Sequence, residues 1–328
     1  MTVPPGLPRR RALLAGALVL ARPARAASPA WPRRALRLRS AYPPGGVSDD
    51  VLRALAARIA DRHGVAVQVD HLPGAGGALA MEWLARAADD GHELVFSATS
   101  PLTVTPHLGR VRYDALRQIQ PLLAVMQVPL LVAGTPALRA TTLAEALTEA
   151  RRSGQPLRWA SSGLATTGHL ALEAVRLASG APIVHVPYKG GGQQINDALA
   201  GHFELLSSNV AAAQLALVRQ GRLKALAVGA DGPLPALPGV PTLAEAGFAD
   251  ANLASTFGLF APGATPPPVL DAAHRALQAL TDEPAWRERL LAADNLPLAL
   301  SRKAFAERVR EESRHRAALV RRLGGALA

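Results

Sequence analysis

The stretch LRLRSAYPPGGVSD at residues 36–49 passes from a strand through a glycine turn to the start of a helix. Leucine and arginine alternate in its first four letters, a period of two that is typical of a half-buried β-strand. Beyond it, Val51, Leu55 and Ile59 recur every four residues, which predicts an amphipathic helix. This order predicts an α/β fold whose first loop presents unpaired backbone amides at a helix start.

The same order of elements continues along the chain. Short apolar or alternating runs predict further strands, and helical patterns separate most of them. A strand, a helix and a second strand form a βαβ unit, in which the strands lie parallel and ligands collect where the strands end in loops. The later strands are predicted at residues 65–69, 93–97, 128–132, 157–161, 183–186, 203–206, 223–228 and 257–260.

Some helices carry start signals of their own. Thr142 and Glu145 form a capping box, which predicts a helix start, and Thr242 and Glu245 repeat the pattern. Two amphipathic helices are expected in the final third, ending near Leu323, and they would cover the first sheet.

We predict two α/β lobes joined by a hinge. With 328 residues the chain is long enough for two hydrophobic cores. Residues 27–124 and 229–328 are assigned to a discontinuous first lobe, and residues 125–228 to a second lobe inserted into it. Two crossings between lobes are the arrangement of proteins that close around a ligand by hinge motion.

The first 26 residues have the pattern of a signal peptide. Arginines at residues 9–11 precede an apolar run at residues 12–21, and Ala-Arg-Ala at residues 24–26 supplies the small residues that signal peptidase accepts. The run is too short to span a bilayer. The arginine pair fits a twin-arginine signal about as well as a general secretory (Sec) signal. We expect an exported, periplasmic protein.

Composition removes several classes of protein. The chain has no cysteine, which excludes disulfides, thiolate zinc sites, iron–sulfur clusters and cysteine nucleophiles. Only 4% of residues are aromatic, too few for a platform that stacks nucleic-acid bases. Without residues 1–26 the chain has 31 basic and 25 acidic residues, a net charge of +6 that is scattered along the sequence. We expect no nucleic-acid partner.

Three turns rich in glycine or hydroxyl groups follow predicted strands, at residues 42–49, 74–77 and 161–169. A helix N-terminus has four unpaired N–H groups and about half a positive charge, so it can bind a carboxylate without an arginine. A single glycine turn most often serves only the backbone conformation. Three such turns at strand ends indicate an anion-binding site.

Other chemistries lack their motifs. Leu79 stands where a dinucleotide fingerprint needs its third glycine, and the glycine run after Lys189 lacks the closing Lys-Ser/Thr of a P-loop. The chain has no Gly-x-Ser-x-Gly elbow. His169 and Glu173 are four residues apart but have no third ligand at a suitable spacing. We predict no cofactor, no metal site and no catalytic residue.

The chain resembles the Bug family, the extracytoplasmic solute receptors of tripartite tricarboxylate transporters. The resemblance runs from about Leu36 to the C-terminus, and the order of its short motifs is more specific than any one of them. These motifs are Pro43-Pro-Gly-Gly with Asp49 and Arg53; Pro73-Gly-Ala-Gly-Gly77 with Asp90-Gly91; Ser161 to Gly163 with His169-Leu170; His185-Val-Pro-Tyr-Lys-Gly190; Gly221-Arg-Leu-Lys-Ala-Leu-Ala-Val228; Pro238-Gly-Val-Pro-Thr242 with Glu245 and Gly247; and Ala261-Pro262 with Thr265-Pro266.

The resemblance implies a type II periplasmic-binding-protein fold, in which two α/β lobes clasp a small organic acid and present it to a membrane permease. The first lobe should hold one carboxylate through backbone amides and bridging waters, and the second lobe should close over the ligand. The ligand-binding residues implied are Tyr42, Pro44, Gly45, Gly46, Asp49, Gly76, Gly77, Ser97, Thr99, Ser161, Thr166, Thr167, His169, Tyr188 and Ser208.

Three positions depart from the family pattern. Ser208 stands where the family often has Asp before Asn, so a group that could receive a ligand amine is missing, which favours plain carboxylates over amino acids. Thr256 lies in the strand where many members have Trp, a change in the cleft wall. Ala165 replaces a frequent glycine and is expected to stiffen its loop.

We therefore expect a monomeric solute-binding protein, not an enzyme, whose partners are a small carboxylate and the subunits of a permease. One alternative keeps the receptor but makes the partner the sensor kinase of a two-component system. Another is an exported enzyme that acts on a carboxylate with His169 as general base.

Overall fold

The computed structural model describes residues 1–2, 30–109 and 111–324. All but two residues of the predicted signal peptide lie outside the described residues. The strands are β1 (Leu36–Ser40), β2 (Val67–His71), β3 (Glu93–Ala98), β4 (Ile119–Val128), β5 (Leu130–Gly134), β6 (Leu157–Ser161), β7 (Ile183–Pro187), β8 (Leu205–Asn209), β9 (Lys224–Gly229), β10 (Ser255–Pro262) and β11 (Leu296–Pro297). The α-helices are α1 (Val47–His63), α2 (Ala78–Leu84), α3 (Ser100–Thr103), α4 (Leu143–Ser153), α5 (Thr167–Ser179), α6 (Gly191–Leu199), α7 (Ala212–Arg219), α8 (Pro267–Thr281), α9 (Pro284–Leu291) and α10 (Arg302–Leu323).

The first sheet has six strands in the order β11-β4-β10-β3-β1-β2. β1 runs parallel to β2 and β3, and β10 runs antiparallel to β3 and β4. Val95 and Phe96, neighbours in β3, are buried on opposite faces, as the strand pleat requires. Helices α1, α8 and α9 cover one face, and α2, α3 and the first half of α10 cover the other.

The second sheet has five strands in the order β7-β6-β8-β5-β9. β6 runs parallel to β7 and β8, and β5 runs antiparallel to β8 and β9. Helices α4 and α5 cover one face, and α6 and α7 cover the other. Because β6, β7 and β8 are parallel neighbours, α5, α6 and α7 all begin at the same edge of this sheet.

The two sheets are closely connected. β4 ends the first sheet at Val128 and β5 begins the second at Leu130, so only Pro129 separates them. The chain returns to the first sheet between β9 and β10. The division into lobes at residues 125 and 228 stays a prediction. Helix α10 belongs to both sides: Phe305 is buried against the first sheet, whereas the last turn, through Leu323, is buried in the core of the second.

The α/β architecture with two sheets is confirmed, with local differences from the predicted elements. Strand β4 was not predicted, although its residues 122–126 form the continuous apolar run that a fully buried strand can have. The capping box at Thr142 begins α4 as expected. At Thr242 both bonds of the second box form, but Gly247 at φ +90° follows one turn later and no α-helix forms. Three helices rather than two, α8, α9 and α10, occupy the final third of the described chain.

Within the described residues, no helix is both long and apolar enough to cross a membrane.

Candidate functional site

A cavity of about 260 Å³ lies between the two sheets. The first lobe contributes residues from the β1–α1 loop, the start of α3 and strand β10, and the second lobe contributes residues from the starts of three helices. Among the described residues that line the cavity, none has a charged side chain. They are Tyr42, Pro43, Gly45, Gly46, Val47, Ser48, Ala98, Ser100, Leu130, Ser162, Thr166, Thr167, Gly168, Gly190, Gly191, Gly192, Ile195, Asn196, Ser208, Asn209, Ala211, Ala213, Gln214, Ser255 and Phe257.

Four helix N-termini converge on this cavity, those of α1, α5, α6 and α7. The helices are 17, 13, 9 and 8 residues long, so each carries a dipole with its positive end at the cavity. The residues that precede α1, α6 and α7 are Gly46, Gly190 and Ala211, and none of the three accepts a bond from its own helix through a side chain. The first amides of these helices therefore have no side-chain cap and are available to an anion.

The start of α5 is built differently. Thr166 is its N-cap: the hydroxyl accepts a bond from the His169 amide at 3.4 Å and donates to the Gly163 carbonyl at 2.8 Å. Gly168 packs against the end of β8, where a β-carbon would stand 2.9 Å from Ser207 Oγ. The absence of a side chain at Gly168 lets the start of α5 lie directly on the second sheet.

The two lobes touch on both sides of the cavity. Gly190 lies against Pro43, and a β-carbon at Gly190 would stand 2.6 Å from Pro43 Cγ. On the other side Gly76 faces the carbonyl oxygen of Leu164 so closely that a β-carbon there would collide with it. Gly76 has a φ of +63°, so its backbone also favours glycine. The parts of the chain that carry the two sheets are thus in direct contact on both sides of the cavity.

Asp49 lies below the first loop and does not line the cavity. Its carboxylate accepts bonds from the Gly45 amide at 3.0 Å, from Arg53 at 2.9 Å and from His71 at 2.7 Å. Burial raises the pKa of Asp49, but the bonds from Gly45, His71 and Arg53 outweigh burial and hold the pKa below its usual value. Asp49 therefore acts as an ionised anchor that fixes the loop whose residues Gly45 and Gly46 line the cavity.

The remaining first-lobe candidates surround the wall of the site. Burial raises the pKa of the Tyr42 phenol, which lines the cavity close to Ser97 and so stays protonated. Ser97 Oγ is buried without a hydrogen-bond partner. Thr99 faces away from the cavity and donates to Glu312 of α10 at 2.8 Å.

His169 and Ser161 are buried inside the second lobe. The His169 ring stacks on His185 with centroids 3.9 Å apart, and its Nδ1 accepts the Ala165 amide at 3.1 Å. Ser161 Oγ lies 2.7 Å from His185 Nε2. Burial first, then His185 and Arg176, lower the pKa of His169 to about 3, and burial lowers that of His185 to about 4. Both rings are therefore neutral at physiological pH.

Tyr188 and Ser208 differ in their relation to the site. The Tyr188 hydroxyl donates to Asp197 at 2.6 Å, away from the cavity, and burial together with that carboxylate raises its pKa to about 12. Ser208 lines the cavity with 3% of its surface exposed, and its hydroxyl accepts a bond from Gln214 Nε2 at 3.1 Å.

Six of the fifteen predicted site residues line the cavity: Tyr42, Gly45, Gly46, Thr166, Thr167 and Ser208. The other nine lie behind it or at the contact between the lobes: Pro44, Asp49, Gly76, Gly77, Ser97, Thr99, Ser161, His169 and Tyr188. The starts of α6 and α7 also line the cavity, but none of their residues was among the predicted site residues. The run Gly190-Gly-Gly directly follows a strand and could have been found by the reasoning applied to the other glycine turns, whereas Ala211 gives no signal.

Metal binding has no support in the described part of the chain, where no three His, Asp or Glu side chains are arranged to hold an ion. The cavity lining itself offers amides and hydroxyls, which suit an anion.

Comparisons with known proteins place this chain in a family. Residues 51–325 match the family described as "Tripartite tricarboxylate transporter family receptor". The chain is 30% identical over 306 residues to the "UPF0065 protein in gbd 5'region" of Cupriavidus necator, which covers 93% of this chain and 92% of that protein. It is 29% identical over 299 residues to protein BugT of Bordetella pertussis, with 90% and 91% covered.

A solved structure is similar in fold over nearly the whole chain. The R. palustris protein Rpa4515, whose structure contains adipate, superposes with a TM-score of 0.83 at 26% identity, covering 90% of this chain and 98% of that one. The expected α/β fold of a periplasmic binding protein is thereby confirmed, and so is the resemblance to the Bug receptors.

Proposed function

Because the chain belongs to the tripartite tricarboxylate transporter receptor family, we propose that it captures a small carboxylate between its two lobes and delivers it to a membrane permease. The family and the solved neighbours are binding proteins, and the R. palustris neighbour holds a dicarboxylate. The proposal includes a periplasmic location, since a receptor of this kind meets its permease at the membrane surface.

One observation carries the proposal: four helix N-termini meet at a cavity lined by uncharged residues, and three of them lack a side-chain cap. Each N-terminus carries about half a positive charge and several unpaired N–H groups. The described lining has no carboxylate that would neutralise the partial positive charge of the helix N-termini, and no cationic side chain that would bind an anion in their place. The cavity therefore favours an anion. A carboxylate can accept the amide hydrogen bonds directly or through water.

Binding is coupled to closure because the donors come from both lobes. The α1 amides belong to the first lobe, and those of α5, α6 and α7 belong to the second. A ligand that contacts all four helices makes its full set of bonds only when Gly190 reaches Pro43 and Gly76 reaches Leu164. Ligand therefore shifts the population toward the closed form, which is the form a permease would recognise.

The enzyme alternative depends on His169, whose position does not favour it. His169 lies outside the cavity lining, and its Nδ1 already accepts a backbone amide, so it has no free basic nitrogen at the ligand. No observation favours a sensor kinase over a permease as the partner.

A binding screen tests the proposal. Purified protein would be titrated calorimetrically with succinate, malate, adipate, citrate and benzoate, with succinamide and adipamide as neutral controls of matched shape. We expect at least one acid to bind, to raise the melting temperature with the logarithm of ligand concentration once the ligand exceeds its Kd, and to compact the protein in small-angle scattering. Absence of heat and of any melting shift with every acid, or equal binding of the amides, would overturn it. Delivery is tested by uptake of the labelled acid in cells with and without the receptor.

A further inference from the structure

The loop between β6 and α5 is part of both the cavity and the contact between lobes. Ser162 and Thr166 line the cavity, and the carbonyl of Leu164 reaches Gly76 of the first lobe. The conformation of this loop therefore decides whether the lobes fit together around a ligand.

This loop is strained at one residue. Ala165 has a φ of +59°, in the left-handed region, and is buried with 3% of its surface exposed. A residue with a β-carbon is disfavoured there on the order of tenfold relative to glycine. Strained backbone of this kind persists only where neighbouring groups hold it in place.

His169 is the side chain that holds it. The Ala165 N–H donates to His169 Nδ1 at 3.1 Å, so Nδ1 carries no proton and the ring proton is on Nε2. Nε2 faces Glu173 Oε1 at 3.7 Å, and Glu173 is itself paired with Arg176 at 2.6 Å. On its other side the ring stacks on His185, which is bonded to Ser161 at the start of the same loop. These neighbours fix the ring plane and keep the acceptor aimed at Ala165.

We propose that His169 is a positioning residue for ligand capture: its unprotonated Nδ1 anchors the Ala165 amide and keeps the β6–α5 loop in the conformation that completes the cavity and meets Gly76. The inference rests on the proposed function, because its consequence for affinity needs a ligand. His169 acts through the loop and does not itself touch the ligand.

The first test needs no ligand. Nitrogen-15 spectra of the histidine rings at pH 7 should show His169 with a bare Nδ1 and a protonated Nε2, and the Ala165 amide should exchange slowly with solvent. In His169→Leu that amide should exchange at least tenfold faster, while in His169→Asn, whose side-chain oxygen can take the place of Nδ1, protection should be largely retained. A protonated His169 Nδ1, or an Ala165 amide that exchanges equally slowly in His169→Leu and in wild type, would overturn the proposal.

The second test is a double-mutant cycle on affinity, with the tightest acid of the panel above as probe. We expect His169→Leu to weaken binding about tenfold and His169→Asn to weaken it less than threefold. Ala165→Gly alone should have little effect, but in the His169→Leu background it should restore affinity at least threefold, since glycine adopts the left-handed conformation without the bond. Additive effects, or an Asn variant as weak as Leu, would show that His169 serves only the packing of the second lobe.

Circular dichroism and thermal unfolding test whether each variant folds. If His169→Leu does not fold, the exchange rate of the residue-165 amide is compared among wild type, His169→Asn and Ala165→Gly instead. If no acid binds even wild-type protein, the proposed function fails, whereas the ring spectra and the Ala165 exchange rate still decide the role of His169.

Discussion

Gly190 of the second lobe lies against the ring of Pro43 in the first, close enough that a β-carbon at residue 190 would stand 2.6 Å from Pro43 Cγ. The φ of Gly190 is +167°, an extended conformation that any residue can adopt. Glycine is therefore needed at this position by the approach of the two lobes and not by the local backbone.

Replacing Gly190 with alanine should separate closure from folding. We expect Gly190→Ala to weaken binding of the panel acid about tenfold or more, because the added methyl group holds the lobes apart. The stability of the ligand-free protein should change by less than about 0.5 kcal/mol. Calorimetric titration and urea unfolding measure the two quantities. Gly232→Ala is the matched control, since a β-carbon there meets nothing within 4 Å. Equal affinity of the two variants would contradict the proposal that the lobes close around the ligand.

Ser208 offers a test of the charge of the ligand. Ser208→Asp places a carboxylate in a cavity that otherwise lacks charged side chains, and we expect carboxylate binding to fall about a hundredfold from like-charge repulsion. Ser208→Asn has nearly the same shape without the charge and should lose much less. The comparison is made by calorimetry at constant ionic strength. Similar losses in both variants would mean that the shape of residue 208, and not its charge, sets the affinity.

The stacked histidines predict how stability depends on pH. Burial keeps the pKa of His169 near 3 and that of His185 near 4 in the folded protein, whereas both take up protons near pH 6.5 when unfolded. Their neutral forms are common to both states at pH 7.5, so they begin to oppose folding only as the pH falls below about 6.5. The free energy of unfolding should then decrease with a slope approaching about 1.4 kcal/mol per pH unit for each ring.

Urea unfolding between pH 7.5 and 5 measures this slope. His185→Asn should reduce it by up to about 1.4 kcal/mol per pH unit, because one buried ring no longer takes up a proton on unfolding. His202→Asn removes a histidine with a largely exposed side chain and should leave the slope unchanged. A slope that is the same in all three proteins would show that other groups control the acid response.

Asp49 should matter to both stability and affinity through the loop that it anchors. Asp49→Asn keeps an oxygen near the Gly45 amide but loses the ionised bonds to Arg53 and His71, and we expect a loss of about 1–3 kcal/mol in the free energy of unfolding. Because its folded pKa is lowered, this contribution is complete above the unfolded pKa near 4 and is lost as the pH falls through the folded pKa.

Asp50→Asn is the control for Asp49. Asp50 is exposed and pairs with Arg289 at the surface, an interaction of about 0–1 kcal/mol. If the two neutral variants lose equal stability in urea unfolding at pH 7, Asp49 does not anchor the loop.

Local patterns in the sequence accounted for the elements that carry their own signals. The alternation before Tyr42, the capping box at Thr142 and the glycine turns are readable because each depends on residues within one short segment. Ser208 was identified through a family resemblance. The role of the α7 N-terminus in the site could not be predicted. Ala211, which precedes the helix, has no capping side chain, and only the folded structure shows that the first amides of α7 lie at the cavity.

The pairing of distant residues was also beyond a single sequence. His169 and His185 belong to a helix and to a strand, and their stacking depends on the order of β6 and β7 in the sheet. For the same reason His169 was expected at the ligand, whereas in the structure it lies behind the β6–α5 loop and does not line the cavity.

Helix α10 limits how the molecule can be dissected. Since Leu319, Val320 and Leu323 complete the core around the second sheet, a fragment restricted to residues 125–228 would expose that core and should aggregate when expressed alone. Chimaeras that exchange the inserted half between relatives, in order to transplant their selectivity, would have to carry the end of this helix as well.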